Sequence, residues 1–315
     1  MKFFLSVTIT VLMISGTLAG QAQAETTLRI GYQKSSTLLT LLKRDGELEK
    51  TLARQGVTVS WHEFTSGLPL LEALNTGNVD ITADVADTVP IFARAAGANF
   101  TYYAREAPSP QAQAILVPAG SGVRSVADLK GKKIAVTKAA GSHYLLLMAL
   151  RQAGLSMNDV TPAWLTPADG SAAFENGSVA AWVTWEPYVA SAVRQQHARV
   201  LINGQGLASY QRYYLAATPY VKAHPKVVSA VYQALEHESR WLKEHPKQAA
   251  EALSPLWGDL PVATIEQANS RRSYQLLPVR ATDLKEQQHI ADTFSQQTLL
   301  PHPVNLLVTP TWQPH

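Results

Sequence analysis

Strand-like and helix-like runs alternate along the first part of this chain, and that alternation restricts its fold more than any other feature. LRIGYQ, Leu28 to Gln33, reads as a strand with a glycine in it, and TLLTLLKRDGELEKTLARQG carries a helical pattern that stops at Gly56. VTVSWHEF, Val57 to Phe64, alternates apolar and polar residues as a half-exposed strand does, and SGLPLLEALNTG supplies another helix before VDITADVA. That order predicts a parallel α/β sheet joined by crossover helices. The periodicity pauses across NFTYYAREAPSPQAQAILVPAGSGV, where prolines and small residues interrupt it. It resumes with DLKGKKIAV, a helix over GSHYLLLMAL, strands at VTPAWLT and VAAWVTW, and a short helix between them from Asp169 to Asn176. ARVLING and YYLAAT follow, and most of the remaining chain is helical.

Two α/β runs and a helical C-terminal region, within 315 residues, exceed one ordinary domain and predict two lobes. The chain is expected to cross near Ile115 to Val117 and return near Tyr214 to Ala217. Residues 25–116 and 216–315 then form lobe 1, residues 117–215 form lobe 2, and the two crossings make a hinge. Residues 1–24 read as a cleaved secretory signal: Met-Lys, an apolar stretch diluted by serine and threonine, then an A-x-A site at Ala22 to Ala24. An exported, periplasmic protein is expected. The chain has no cysteine, which excludes a thiol nucleophile, a thiolate metal ligand and a lipid-anchored thiol. Net charge is +3 and becomes +2 when Lys2 leaves with the leader, a near-balance that argues against a nucleic-acid-binding surface.

AAGSHYLLLMAL places Gly141, Ser142 and His143 directly before an apolar run. Adjacent residues entering a helix diverge by about 100°, so Ser142 and His143 do not form a nucleophile and its base, and no G-x-S-x-G elbow is present. A helix N-terminus fits better: unpaired amides and the positive end of the dipole favour an anion. Three further helix openings follow strands, at Lys34-Ser35-Ser36, Ser66-Gly67 and Asp87-Thr88. In open α/β sheets such turns gather at the carboxyl ends of strands, where ligands bind. Trp185-Glu186-Pro187-Tyr188 holds the same position after VAAWVTW; the indole suits a pocket wall, and Glu186 suits either the helix dipole or a ligand ammonium. Nine histidines form no H-E-x-x-H, and phosphate-loop and dinucleotide motifs are absent, so neither metal nor cofactor is expected.

LRIGYQK, FTSGLPLLEALNTGNVDI, DTVPIFARAAGA, VADLKGKKIAVTKAAGSHYLLLMALRQAGL, WLTPADGSAAFENGSVAAWVTWEPY and TPTWQP together resemble the periplasmic aliphatic sulfonate-binding proteins of ABC importers, over nearly the whole mature chain. The resemblance implies the type II periplasmic-binding fold, with two α/β lobes, two hinge strands and a ligand clamped between them. It places ligand-facing positions at Gln33, Ser66, Gly67, Asp87, Thr88, Ser142, His143, Trp185 and Glu186; Ser35 and Tyr213 are further ligand-binding candidates, with the aliphatic tail expected against Trp185 and Tyr213. Ser35, Ala86 and Ala139 stand where the family pattern commonly has glycine, and each added side chain alters the cleft. Taurine- and nitrate-type binders share the scaffold. Enzymes on it that cleave sulfinates or build a vitamin pyrimidine depend on cysteine, which this chain lacks. The resemblance also implies a permease partner and a monomer.

Overall fold

The computed structural model describes residues 26–314, so the expected signal at 1–24 lies outside the described residues. Twelve strands form two sheets. Strands β1 (Thr26–Gln33), β2 (Val57–Phe64), β3 (Ile81–Thr82), β4 (Val85–Ala86) and β5 (Phe100–Glu106) belong to the first. Strands β6 (Gln113–Val117), β7 (Lys133–Val136), β8 (Thr161–Trp164), β9 (Ala181–Trp185) and β10 (Arg199–Asn203) make the second, in the order β10-β6-β9-β7-β8. The chain then re-enters the first sheet with β11 (Arg212–Ala217) and β12 (Leu276–Leu277), giving β12-β5-β11-β3-β1-β2, with β4 against β11. β1 runs parallel to β2 and β3, and β7 parallel to β8 and β9, as alternating strands and crossover helices require. The returning strand β11 and the departing strand β6 are antiparallel to their neighbours.

The chain changes sheets between Glu106 and Gln113 and again between Asn203 and Arg212. Ile115 to Val117 and Tyr214 to Ala217 lie inside β6 and β11, so both connections fall N-terminal of the expected crossings. The stretch without periodicity holds β5 and β6. Every residue of β6 is buried, as is all of β5 except Arg105, and a strand buried on both faces shows no alternation. The single helix expected after β1 is broken at Gly46, whose φ of 68° turns the chain between Thr37–Asp45 and Glu47–Ala53.

The helical C-terminal region covers the first sheet. Val227, Val228, Val231, Leu235 and Leu242 of the Pro225–Glu244 helix join Leu28, Ile30 and the Thr37–Asp45 helix in one core. Each such side chain contributes about 1.5–3 kcal/mol when fully buried. The Leu284–Gln296 helix packs differently: Ile290, Ala291 and Phe294 meet Ile91 and Ala95 on one side and Tyr144 and Leu147 on the other. It therefore touches elements that follow strands of both sheets.

Candidate functional site

The turns after β1, β2, β4, β7 and β9 meet in a cleft between the two sheets. Its inner space is narrow, about 10 Å³, and is lined from the first sheet's side by Gln33, Gly67, Ala86 and Arg212, and from the other by Gly141 and Trp185. Both glycines stand at helix starts. Ser66 and Ala140 cap the Gly67–Asn75 and Gly141–Gln152 helices without any side-chain cap bond, which leaves the first amides of both helices free to face an anion. A Cβ on Gly141 would lie 2.5 Å from the Tyr210 ring, and one on Gly67 2.8 Å from Val89. Only glycine permits this approach of backbone to wall.

Arg212 is the cation of the cleft. It is buried on β11 with its guanidinium against the Asp84 carboxylate, Nη1 donating to the Tyr210 hydroxyl (2.7 Å) and Nη2 to the Asp84 carbonyl (3.1 Å). Burial opposes its charge, and Asp84 beside it more than offsets this, holding the pKa above the ordinary arginine value. Behind it, Arg272 donates to Asp84 (3.0 Å) and to both oxygens of Glu106 (2.7 and 2.8 Å), while the Tyr214 hydroxyl donates to Glu106 as well (2.8 Å). Two arginines and two carboxylates cancel, so the buried network carries no net charge; both arginines are set against Oδ2 of Asp84, and its Oδ1 has no hydrogen-bond partner among the described residues. Of the five guanidinium N–H groups of Arg212, three are engaged, and two remain for a ligand.

The expected site residues divide. Gln33, Gly67 and Trp185 line the inner space. Gln33 Nε2 donates to the Asp84 carbonyl (3.0 Å), and the Trp185 indole donates across the cleft to Ser35 Oγ (3.2 Å). Thr88 also bridges the sheets, its hydroxyl donating to the Ala139 carbonyl (2.7 Å). Ala139 holds φ 62°, the left-handed region where a side chain costs about 1 kcal/mol relative to glycine, which is the physical meaning of the glycine common there in the family pattern. Ser142 is fully buried in the first turn of its helix, and its hydroxyl has no hydrogen-bond partner among the described residues.

Ser35, Ser66, Thr88 and Ser142 do not line the inner space, and the four remaining expected residues turn to other partners. His143 lies among Phe92, Trp164 and Phe294, with ring centroids 4.8–6.3 Å away. Burial, helped by the Lys138 charge, lowers its pKa to about 4, so the ring is neutral at pH 7 and offers an anion no charge. Asp87 turns back into the first sheet's side, accepting from the Gln211 amide (3.1 Å), and burial followed by the Glu286 charge pushes it up to about 7. Glu186 is ion-paired with Arg271 and accepts from the Ala190 amide (2.9 Å). Tyr213 packs on Tyr102 in the core, because strand alternation sends it to the face opposite Arg212; Tyr210 takes the expected place beside the cleft. Sequence reasoning did not select Arg212, Tyr210 or Val89. One signal was present: a basic residue opening the apolar run RYYLAA must be paired if it is buried.

Beyond Trp185 the cleft widens into an outer hollow of about 200 Å³ between Lys34, Glu63 and Phe64 on one side and Thr166, Pro167 and Tyr188 on the other. No helix among the described residues is long and apolar enough to cross a membrane, and no group of three or more metal-ligating side chains occurs among them.

Residues 52–249 match the family model described as NMT1/THI5 like. An aliphatic sulfonates-binding protein of Escherichia coli is 40% identical over 288 residues, which span 91% of this chain and 89% of that protein. The alkanesulfonate-binding protein SsuA from Xanthomonas axonopodis pv. citri, solved bound to MOPS, superposes with a TM-score of 0.83 at 40% identity, covering 88% of this chain and 94% of that one. The taurine-binding periplasmic protein of Escherichia coli is more distant, 27% identical over 68% of this chain and 65% of its own length. With its two sheets, its inter-sheet cleft and this extent of similarity, the chain belongs to the NMT1/THI5-like family and, within it, to the aliphatic sulfonate-binding proteins.

Proposed function

We propose that this protein is the substrate-binding component of an ABC importer, capturing an aliphatic sulfonate in the inter-sheet cleft and delivering it to a membrane permease for sulfur acquisition. One observation carries the reading: every uncommitted polar group at the inner space is a donor or a neutral amide, and no uncommitted carboxylate faces it. Arg212 and the Gly67 and Gly141 helix ends supply donors, while Asp84 and Glu186 are both ion-paired. A sulfonate is fully ionised and only accepts hydrogen bonds, so such a set satisfies it; a phosphate hydrogen would ask for an acceptor. The organic tail then extends past Trp185 into the outer hollow.

Capture takes place between lobe 1, built on the first sheet, and lobe 2, built on the second, with the segments 107–112 and 204–211 as the hinge. A ligand that touches both lobes only when they meet shifts the hinged equilibrium toward closure. The protein works as an exported, periplasmic monomer and catalyses no reaction; the binding-protein relatives and the missing cysteine support this. The pairing of Glu186 favours a plain alkanesulfonate over taurine, whose ammonium would call for a free acid. A thermal-shift panel of alkanesulfonates, taurine, nitrate, sulfate and phosphate on the mature protein tests the reading, since a ligand of the native state raises the melting temperature. Alkanesulfonates are expected to give the largest shift. A clear shift with nitrate and none with any sulfonate sinks it.

A further inference from the structure

Glu186 lies behind the cleft wall, and the sulfonate reading leaves it without a role. It stands between Trp185, which lines the inner space, and Tyr188, two residues on, which lines the outer hollow. Only 3% of it is exposed, so its charge is poorly screened by solvent. One oxygen accepts from the Ala190 amide and the other from Arg271 Nη1. Arg271 comes from far along the chain, at the end of the Val262–Ser270 helix in the region that covers the first sheet. That helix packs on the Tyr188–Gln195 helix of the second. The pair therefore spans the two lobes, and Arg271 is the charged group set against Glu186.

We infer that Arg271 is a specificity-determining residue of the cleft: by occupying and neutralising Glu186 as the lobes meet, it admits ligands whose only charge is negative and withholds a counter-charge from ligands that also carry an ammonium. This rests on the proposed sulfonate site. Arg271 touches Glu186 and acts on the ligand through it. Without the arginine, Glu186 is a buried carboxylate with one oxygen unfilled, directly behind the wall that Trp185 and Tyr188 present. It then repels an alkanesulfonate and offers an aminosulfonate the acceptor it lacks in the wild type.

Calorimetric titrations at pH 8 with ethanesulfonate and with taurine test this on wild type, R271Q, R271K and E186Q/R271Q. In R271Q the ethanesulfonate affinity is expected to fall about tenfold or more, with taurine losing less, so that their ratio moves toward taurine by about tenfold. R271K, which keeps the positive charge, should retain the wild-type ratio. E186Q/R271Q should return ethanesulfonate to within about threefold of wild type, because the repelling acid is gone. An unchanged ratio in R271Q overturns the inference. So does a double variant as weak as R271Q, because a pair that merely latches the lobes is not restored by removing its second partner. Should R271Q not fold, E186Q alone decides: it should bind ethanesulfonate at least as tightly as wild type, and a tenfold loss overturns the inference. Wild-type protein that binds no sulfonate of the thermal-shift panel refutes the proposed function instead, so the two failures are distinguishable.

Discussion

Arg212 and His143 show how little a residue type says about its role before its neighbours are known. Arg212 is buried, charged and held by Asp84 with two N–H groups to spare. Arg212→Met is expected to reduce sulfonate affinity about a hundredfold, since a charge-assisted pair of donors is lost, and to cost about 3 kcal/mol of stability by unbalancing the network with Arg272 and Glu106. Calorimetry and urea unfolding measure the two effects separately. His143 was legible as the second residue of an anion-facing helix end, yet its ring is sealed among aromatics. Its folded pKa, about 4, lies below its unfolded value, so its contribution to stability is complete above about pH 6.5 and is lost as pH falls through 4. Between pH 7.5 and 4.5 wild type should lose about 2–3 kcal/mol relative to His143→Phe, measured by urea unfolding of both. Asp87, raised to about 7, acts with the opposite sign and favours the folded state on acidification. The comparison with the variant therefore isolates the histidine.

At the scale of elements, patterning located most strands and helices, because half-exposed strands and amphipathic helices write their burial into the order of residues. β5 and β6 escaped for the opposite reason: with both faces covered, they offer no period to read. The break at Gly46 was hidden inside a helical pattern that continues on both sides of it. The helix starts carry the site, and their glycines allow the close approach. Gly141→Ala would drive a Cβ into the Tyr210 ring; overpacking of this kind costs about 1–3 kcal/mol. Ligand affinity is therefore expected to fall about tenfold, and titration with the best alkanesulfonate of the panel checks it. Wild-type affinity in Gly141→Ala would mean that the lobes need not meet as they do here.

For the whole molecule, the proposed closure draws on contacts between elements of the two sheets as well as on contacts to ligand. The Thr88 hydroxyl and the Ala139 carbonyl form one such contact, buried and 2.7 Å long. Thr88→Val removes the donor and leaves the carbonyl unpaired, at a cost of about 1 kcal/mol. The expected result is about fivefold faster ligand release with little change in association, followed by stopped-flow tryptophan fluorescence, for which Trp185 is placed in the cleft wall. The Leu284–Gln296 helix is packed against elements that follow strands of both sheets.

Local order in the sequence determined the class of fold, the positions of the strand-to-helix turns and the absence of thiol chemistry, because periodicity, capping and composition are properties of neighbouring residues. Which turn residues meet the cleft was decided by the tertiary structure alone. Gln33, Gly67 and Trp185 converge with Arg212 across gaps of dozens to nearly two hundred residues, while Asp87, His143, Glu186 and Tyr213, equally eligible in sequence, turn to partners elsewhere. The charge of each buried group depends on those distant partners, and no short stretch of sequence contains them.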